Sequence, residues 1–579
     1  MLFPLNRPLS PAWLRRLRLG LFLLLLLSAC RQTPPQNLET LIRAMPAPEP
    51  AGREPFPGGL LERRVNLQGQ IRSALAPAPG QGLPLPTPTG AAAGPVRFAV
   101  GLLPQYWEQH PGPVRFRIQA GGQTLWEKVL DPARDLSQRG WQEVGPISLP
   151  ATAPASLLTD AADFGALVTA PQWKPAPAGP SVIFILVDAL RPDHLGAYGY
   201  SRPTSPNLDR LAARGVRFEN AITASAFTLT SVATIFTGRY PWEHGVIFTR
   251  GLHLPPELPV LAEAFEQAGY ATAAFSGTYF RFSLEGFDRG FEVFDESCAQ
   301  DFFRGSAECL SRAVLPWLEA HGDEPFFLYL HYVDTHAPYY AAEPFRHRFT
   351  AGLSPDRDAA GLGDAARFGP GRKWFQWPLT PTAGDVEYLK ALYDGEIAYA
   401  DAAIGQVFQA LAAAGRLDAT LILATADHGE AFFEHGMLEH DRVLYDEALK
   451  VPLLLAGPGL PAGKAVQEQV RTLDFSSTLL DLAGLGREGW GRGISLRPLW
   501  EGRAFSPEPA VAAIYRKGNE RRLALRAPPW KLIGRFPERR FELYQVEEDP
   551  AESRELSGRQ AEHLERMKQE LSRLCPEAE

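Results

Sequence analysis

The chain has 579 residues, 45% of them hydrophobic, so it is long enough for several folded domains and is not an intrinsically disordered protein. Its formal net charge of −8 and its isoelectric point near 5.9 argue against a nucleic-acid-binding protein. We therefore expect no nucleic-acid partner.

The N-terminus has the pattern of a secretory leader. A basic cluster at 15–18 precedes the apolar run Leu19–Leu27, which is too short for a convincing membrane-spanning helix. This predicts a signal peptide over residues 1–29. The sequence Leu27–Cys30 resembles a bacterial lipobox, and the alternative is a signal peptide followed by an incidental cysteine. The resemblance implies a lipid on Cys30 that anchors the protein in the bacterial cell envelope, facing the periplasm or the exterior.

Two further segments precede the main domain. Residues 30–95 are rich in Pro, Ala and Gly, which predicts an extended tether. Residues 96–175 contain short, partly alternating segments between turn residues, which predicts a jelly-roll-like β-sandwich. Trp107, Trp126 and Trp141 are either sugar-stacking residues or, more commonly for tryptophan, core residues.

From residue 180 onward, predicted strands alternate with predicted helices, which indicates a largely parallel sheet covered by helices over residues 180–506. Short strands and an amphipathic helix predict a small antiparallel subdomain over residues 507–579. Cys298 and Cys309 are close enough in sequence for a disulfide in an oxidising compartment, although spacing does not establish it. The predicted strands are Val182–Val187, Ala271–Phe275, Phe326–Leu330, Leu421–Thr425 and Pro452–Leu455, and the predicted helices are Pro206–Arg214, Pro259–Ala268, Asp385–Ala413, Leu473–Leu482 and Arg559–Leu574.

Polar residues follow two of the apolar strands. The first strand ends on Asp188, and Leu421–Thr425 is followed after one residue by Asp427 and His428. Ligands bind beyond the carboxyl ends of strands in such sheets, so these side chains predict a shared metal site. A strand-end cap or a solvated loop is the alternative for each residue. Mixed oxygen and imidazole ligands leave zinc, manganese, calcium and magnesium open.

Several segments stand in the order found in one known family. They include VDALRPDHLGAYG (187–199), TIFTGRYPWEHGV (234–246), ATADHGEAFFEHG (424–436) and LYDEALKVPLLLAGPG (444–459). On these residues the chain resembles the sulfatase branch of the alkaline phosphatase superfamily, from about residue 180 to the C-terminus. The resemblance implies the α/β fold of that superfamily, with a mixed, mostly parallel sheet between helices and a C-terminal antiparallel subdomain. The expected activity is that of an ester hydrolase or transferase.

The resemblance places the nucleophile on Thr228, which would also be a metal ligand. Sulfatases normally carry Cys or Ser there, within a Cys/Ser-x-Pro-x-Arg signal for conversion to formylglycine, whereas this chain reads TLTSV at 228–232. All three diagnostic positions differ, so we expect no formylglycine. Superfamily members with Thr at this position act on phosphate esters or transfer phosphoryl-linked groups, which favours phosphoryl chemistry. The alternative is that Thr228 only caps a helix in an inactive relative.

The resemblance also suggests roles for three histidines. His336 and His440 would contact the transferred group or protonate its leaving oxygen, and His244 would lie close to the nucleophile. In a second interpretation, Asp334, His336 and His440 form a second metal site.

Arg191, three residues after Asp188, is predicted either to pair with that residue or substrate oxygens, or to form a surface salt bridge.

The sequence therefore predicts a lipid-anchored, metal-dependent hydrolase or transferase acting on phosphate mono- or diesters in the cell envelope. The substrate class is a small-molecule, lipid-head-group or glycan ester. One rival is a sulfatase that uses unmodified threonine. The other is an inactive lipoprotein that binds glycans or envelope components.

Overall fold

A computed structural model describes residues 62–77, 82–85, 96–104, 107, 112–150, 153–161, 166–169, 177–248, 251–278, 280, 282–301, 306–355, 381–486, 490–516 and 520–578. The predicted signal peptide and Cys30 lie outside these residues. Within the described ranges, no helix is both long enough and apolar enough to cross a membrane.

The strands are numbered here in chain order. They are β1 Glu62–Leu67, β2 Gln70–Leu75, β3 Leu83–Pro84, β4 Val96–Leu102, β5 Val114–Ala120, β6 Gln123–Leu130, β7 Gln142–Ile147, β8 Ala155–Thr159, β9 Ala166–Thr169, β10 Ser181–Val187, β11 Val216–Ile222, β12 Ala271–Ser276, β13 Val293–Asp295, β14 Phe326–Tyr332, β15 Thr420–Thr425, β16 Ala431–Phe432, β17 Leu438–Glu439, β18 Lys450–Ala456, β19 Lys464–Arg471, β20 Ala510–Tyr515, β21 Arg521–Ala527, β22 Trp530–Phe536 and β23 Arg540–Gln545.

The α-helices of the described residues follow the predicted alternation with the strands. They are Pro206–Ala213, Thr228–Thr237, Pro241–His244, Leu261–Gln267, Ala307–His321, Ala383–Ala413, Asp446–Leu449, Asp474–Leu482, Arg497–Glu501 and Ala561–Leu574.

The largest sheet has the strand order β19-β11-β18-β15-β10-β14-β12-β13-β2-β9-β4-β7. β10 is central and pairs in parallel with β14 on one side and β15 on the other. β12 is also parallel to β14, whereas β18 runs antiparallel to β15. All seven residues of β10 are buried, as expected for a strand covered on both faces. The predicted mixed, mostly parallel sheet between helices is confirmed.

The N-terminal strands form a sandwich that joins this sheet. β3, β8, β5 and β6 make a separate antiparallel sheet. Phe116 and Leu157 from that sheet share an apolar core with Phe98 and Val168 of the large sheet. Trp141 is buried and donates its indole N–H to the Gln70 carbonyl (3.2 Å).

Trp126 packs edge-to-face on Phe98, with ring centroids 5.8 Å apart. The contacts of Trp141 and Trp126 favour the core interpretation over sugar stacking.

The tether predicted over residues 30–95 is wrong for part of its length. β1 and β2 form a hairpin, and β2 pairs with β13 of the main domain, with Ile71 opposite Phe294. The alternation that specifies this hairpin buries Val65 and Leu67. That alternation covers only a few residues, and the Pro, Ala and Gly content of the whole segment, on which the tether prediction was based, does not reveal it.

The C-terminal residues form the predicted antiparallel subdomain. β20, β21, β22 and β23 make a four-stranded sheet, on which the last helix packs through Met567 and Leu571. β23, with the imperfectly alternating sequence RFELYQ, is an edge strand of this sheet. Cys298 and Cys309 form the disulfide that their spacing allowed.

Candidate active site

Three adjacent strands deliver the candidate metal ligands. β10, β14 and β15 are parallel neighbours, so Asp188, His331 and the pair Asp427-His428 meet at one edge of the sheet. His331 Nε2 lies 3.9 Å from Asp188 Oδ2. His428 Nε2 lies 3.2 Å from Asp427 Oδ2 and 3.7 Å from Asp188 Oδ1. All four side chains are buried.

Thr228 joins this group from the first position of a helix. Its Oγ1 lies 3.2 Å from His428 Nε2 and 3.4 Å from Asp188 Oδ2. The Ser231 hydroxyl donates to the main-chain oxygen of Asp427 (2.6 Å), which ties the first helical turn to the loop after β15. The positive end of the helix dipole therefore lies at the candidate nucleophile.

Backbone contacts orient the ligands. Asp427 Oδ1 accepts hydrogen bonds from the N–H groups of Ala189 (3.1 Å) and His428 (3.0 Å). Ala189 adopts a left-handed conformation (φ 55°) in making this contact, which is uncommon for a residue other than glycine. His428 Nδ1 lies 3.0 Å from the Gly429 carbonyl oxygen. The proton therefore belongs on Nδ1, and Nε2 presents its lone pair toward Thr228.

Several buried polar atoms of the site have no hydrogen-bond partner among the described residues. Asp188 Oδ1, Asp427 Oδ2 and both ring nitrogens of His331 are buried without a hydrogen-bond partner there. Burial and the Asp427 charge raise the pKa of Asp188 well above its usual range, and burial also raises the pKa of Asp427. Burial lowers the pKa of His331 and His428 to about 3, so both imidazoles are neutral, the form that binds a metal. Two buried carboxylates beside neutral imidazoles fit a divalent cation, which would satisfy these atoms.

The four predicted ligands, Asp188, Thr228, Asp427 and His428, are thus brought together. His331 was missed, although Asp188, His331 and Asp427 present ligand atoms within 4.8 Å of one another. A signal was present, because His331 interrupts the apolar strand β14 beside the end of β10. The predicted strand ended one residue too early to include it.

His336 and His440, which the resemblance assigns to substrate contact, lie beside the candidate metal ligands. The His440 ring stacks on the His428 ring with centroids 4.0 Å apart, and the His336 ring is 5.0 Å from that of His440. Glu430 Oε1 is 3.1 Å from His440 Nδ1, and the Tyr339 hydroxyl donates to Glu430 Oε2 (3.2 Å). Glu430, which sequence reasoning passed over, therefore fixes the orientation of His440.

The second metal site of Asp334, His336 and His440 is not assembled. Asp334 Oδ1 accepts hydrogen bonds from the N–H groups of Ser306 (2.7 Å) and Ala307 (3.0 Å), at the start of the helix that ends at residue 321. Asp334 thus stabilises a helix N-terminus, and its inclusion in a metal site was wrong.

The contacts of His244 do not support the predicted catalytic role. Its Nδ1 accepts from the Val246 N–H (3.0 Å), and its Nε2 lies 3.1 Å from Thr234 Oγ1. Both ring nitrogens are occupied, and burial lowers the pKa of His244 to about 3. His244 is near Thr228 in sequence, but it contacts Thr234, in the second half of the Thr228–Thr237 helix, and links that helix to Val246.

Arg191 forms ion pairs with Asp193 and Glu434. It does not pair with Asp188, the partner that its position in the sequence suggested. Its guanidinium contacts Asp193 (2.7 Å) and Glu434 (2.7 Å) and donates to the Glu430 carbonyl (2.9 Å). It therefore supports the loop that carries Glu430.

The chain is similar to known families and proteins over most of its length. Residues 180–485 match the Sulfatase family, and residues 433–577 match the family described as N-sulphoglucosamine sulphohydrolase, C-terminal. The chain is 24% identical to an N-acetylglucosamine-6-O-sulfatase of Bacteroides thetaiotaomicron over 518 residues, which cover 75% of this chain and 92% of the relative. It is 26% identical to a choline-sulfatase of Rhizobium meliloti over 429 residues, covering 64% and 81% respectively. The fold is similar to that of the phosphonate monoester hydrolase of Agrobacterium radiobacter, with a TM-score of 0.57, 22% identity, and coverage of 69% of this chain and 96% of the other.

Proposed function

The chain belongs to the sulfatase family and is a sulfatase-like ester hydrolase, and from this premise we propose that it cleaves phosphate mono- or diesters with Thr228 as the nucleophile. The observation that carries the proposal is the position of Thr228 Oγ1 at a helix N-terminus, 3.2 Å from His428 Nε2 and 3.4 Å from Asp188 Oδ2. A hydroxyl in this position has two acceptors for its proton and lies among the metal ligands.

Enzymes of this family use a divalent metal, which here would be held by Asp188, Thr228, Asp427 and His428, with His331 beside them. When bound, the cation lowers the pKa of a ligated hydroxyl and offsets the charge of the transferred group. The protein itself supplies the nucleophile and further stabilisation of charge. Thr228 Oγ1 attacks phosphorus, and the helix N-terminus stabilises the charge on the nonbridging oxygens.

The identity of the nucleophile favours phosphorus over sulfur. A sulfated formylglycine hydrate can release sulfate by elimination, because its carbon carries a second hydroxyl. Threonine has no second hydroxyl on that carbon, so the intermediate on Thr228 is released by water attacking the transferred group. Attack at phosphorus accommodates this second displacement.

The leaving alcohol needs a proton donor on the other side of the transferred group. His336 and His440 are placed for this role, since their rings lie against each other and next to His428. Burial raises the pKa of Glu430 to about 8, so at neutral pH its carboxyl group is protonated and donates to Nδ1 of His440 (3.1 Å). The ring proton of His440 is then on Nε2, and Glu430 passes its own proton to Nδ1 as Nε2 protonates the leaving oxygen.

A second candidate function is hydrolysis of a sulfate ester by unmodified threonine, because the curated relatives are named as sulfatases. Turnover of 4-nitrophenyl sulfate, phosphate and a phosphodiester, measured side by side with several divalent metals, separates the two. Phosphoester turnover that is lost in Thr228→Ala supports the proposal. Thr228-dependent turnover of the sulfate alone would replace it with the second function, and metal uptake without any turnover would favour an inactive binding protein.

The location is part of the proposal. The lipobox-like Leu27–Cys30 supports attachment to the cell envelope through a lipid on Cys30. A substrate in the envelope would then be a lipid head group, a glycan or a small phosphoester. Replacement of Cys30 by Ser should release the protein from the membrane fraction, and unchanged fractionation would contradict the anchor.

A further inference from the structure

Two segments meet beside the candidate nucleophile. One follows the helix Pro241–His244 and contains Phe248, and the other follows β12 and contains Phe280. The Leu254 N–H donates to the Glu285 carbonyl (2.8 Å), which joins the two segments. β12 is parallel to β14, so the second segment leaves the sheet at the edge that carries the metal ligands.

The second segment lies directly over that edge. The Gly277 N–H donates to the main-chain oxygen of His331 (3.0 Å). The Phe282 ring is 5.4 Å from the ring of His331. These contacts place the β12 segment against a candidate metal ligand.

Three phenylalanines connect the segments to Thr228. Phe227 immediately precedes Thr228, and its ring lies 5.9 Å from that of Phe280 and 6.4 Å from that of Phe248. Both contacts are edge-to-face, with interplanar angles of 74° and 89°. We call this group, Phe227, Phe248 and Phe280, the aromatic ledge.

The aromatic ledge is open to solvent at one end. Phe248 is 52% exposed, while Phe227 and Phe280 are partly buried. Among the described residues, large apolar side chains are exposed at five positions, and two of them, Phe248 and Leu284, lie on these two segments. Apolar surface of this kind next to a reactive group is typical of a ligand-binding surface.

We propose that the aromatic ledge binds a planar apolar group carried on the ester substrate, next to the group that Thr228 attacks. This inference rests on the proposed function for the position of the ester, and it names the substrate class: esters that carry an aryl group or a comparable flat apolar face. A third ring can join edge-to-face or offset-stacked contacts with Phe227 and Phe248, since such rings pair at centroid distances of about 4.5–7 Å. The ledge itself carries no polar side-chain atom, so it selects for shape and apolar surface.

Direct binding tests the inference without requiring turnover. Dissociation constants of phenylphosphonate and methylphosphonate are measured by calorimetry on the manganese-loaded full chain. The wild type should prefer the phenyl ligand, and Phe248→Ala should reduce the ratio of the two constants by about threefold to tenfold. Phe248→Tyr, which keeps the ring, and Leu136→Ala, which removes an apolar side chain that is 62% exposed in the N-terminal module, should both keep the preference.

The inference is overturned if the wild type shows no preference, if neither phosphonate binds, or if the preference survives Phe248→Ala. The same preparations are assayed for Thr228-dependent ester turnover. A phenyl preference that depends on Phe248 in a protein without such turnover would support the ledge and overturn the proposed function. Thr228-dependent turnover in a protein without the phenyl preference would support the proposed function and overturn the ledge.

Discussion

His428 Nε2 and Thr228 Oγ1 lie 3.2 Å apart although 200 residues separate them in sequence. His428 donates from Nδ1 to the Gly429 carbonyl, so its other nitrogen is left to face the hydroxyl. The geometry of the site depends on this orientation, because it makes one neutral imidazole both a candidate metal ligand and a neighbour of the candidate nucleophile.

His331 is expected to contribute to metal binding. His331→Ala removes a buried imidazole 3.9 Å from Asp188 Oδ2, and we expect metal affinity to fall by about 10-fold to 100-fold. Titration of the metal-free protein with Mn²⁺ and Zn²⁺ by calorimetry measures this loss. His347→Gln, at a side chain that is 52% exposed, is the matched control. Equal affinities for His331→Ala and the wild type would remove His331 from the site.

His244 is expected to support stability without taking part in the reaction. His244→Leu leaves the Val246 N–H without its acceptor and removes one of the two partners of Thr234 Oγ1, which keeps its hydrogen bond to the Thr230 carbonyl, so the substitution should cost about 1–3 kcal/mol in the free energy of unfolding. Denaturant unfolding measures that cost. At temperatures where the variant is folded, its kcat should stay close to that of the wild type. A large drop in kcat with unchanged stability would restore the catalytic role.

A buried lysine links the catalytic domain to the C-terminal subdomain. Lys531 is fully buried, and its Nζ lies 2.7 Å from Asp446 Oδ1 and 2.7 Å from Glu552 Oε1. Lys531→Met leaves two buried carboxylates without this partner, so we expect a loss of about 3–5 kcal/mol in unfolding free energy. The more accessible pair of Lys568 and Glu565 supplies the control, since Lys568→Met should cost less than about 1 kcal/mol. Equal effects of the two substitutions would contradict a special role for Lys531.

The stability of this junction should also depend on pH. Burial lowers the pKa of His435, but its hydrogen bond to Glu447 (2.7 Å) and the charge of that carboxylate outweigh burial and raise the pKa above its ordinary value. The folded state therefore binds this proton more tightly than the unfolded state. The stabilisation is fully present below about pH 6.5 and is lost as the pH rises through the raised pKa. The difference in melting temperature between the wild type and His435→Gln should accordingly shrink from pH 6 to pH 9, and a difference that grows would contradict the ion pair.

The sequence was sufficient to predict the parts of the site that depend on strand ends. Asp188 and Asp427 follow apolar strands that are parallel neighbours, so their meeting at one edge is a consequence of sheet topology. His331 depends on the same rule, but it lies within β14, where a boundary shift of one residue concealed it. Similarly, the long helix was predicted to begin at Asp385, and it begins at Ala383 after a Thr382 cap.

Other predictions were wrong because closeness in sequence does not determine which way a side chain points. His244 and Thr228 belong to neighbouring helices, yet His244 faces Thr234, which lies six residues after Thr228 in the Thr228–Thr237 helix. Asp334 precedes a histidine of the site but points to the amide groups at the start of another helix. Tertiary packing determines which way such side chains point, and no local sequence pattern predicts it.

The most direct test of the central claim is the chemical state of Thr228 during turnover. The metal-loaded protein is mixed with an excess of a phosphate ester, quenched in acid within the first turnovers, digested and examined by mass spectrometry. The account predicts a phosphoryl group on the peptide that contains Thr228, and its absence in Thr228→Ala together with the loss of turnover. Full turnover by Thr228→Ala, with no modified Thr228 in the wild type, would contradict it.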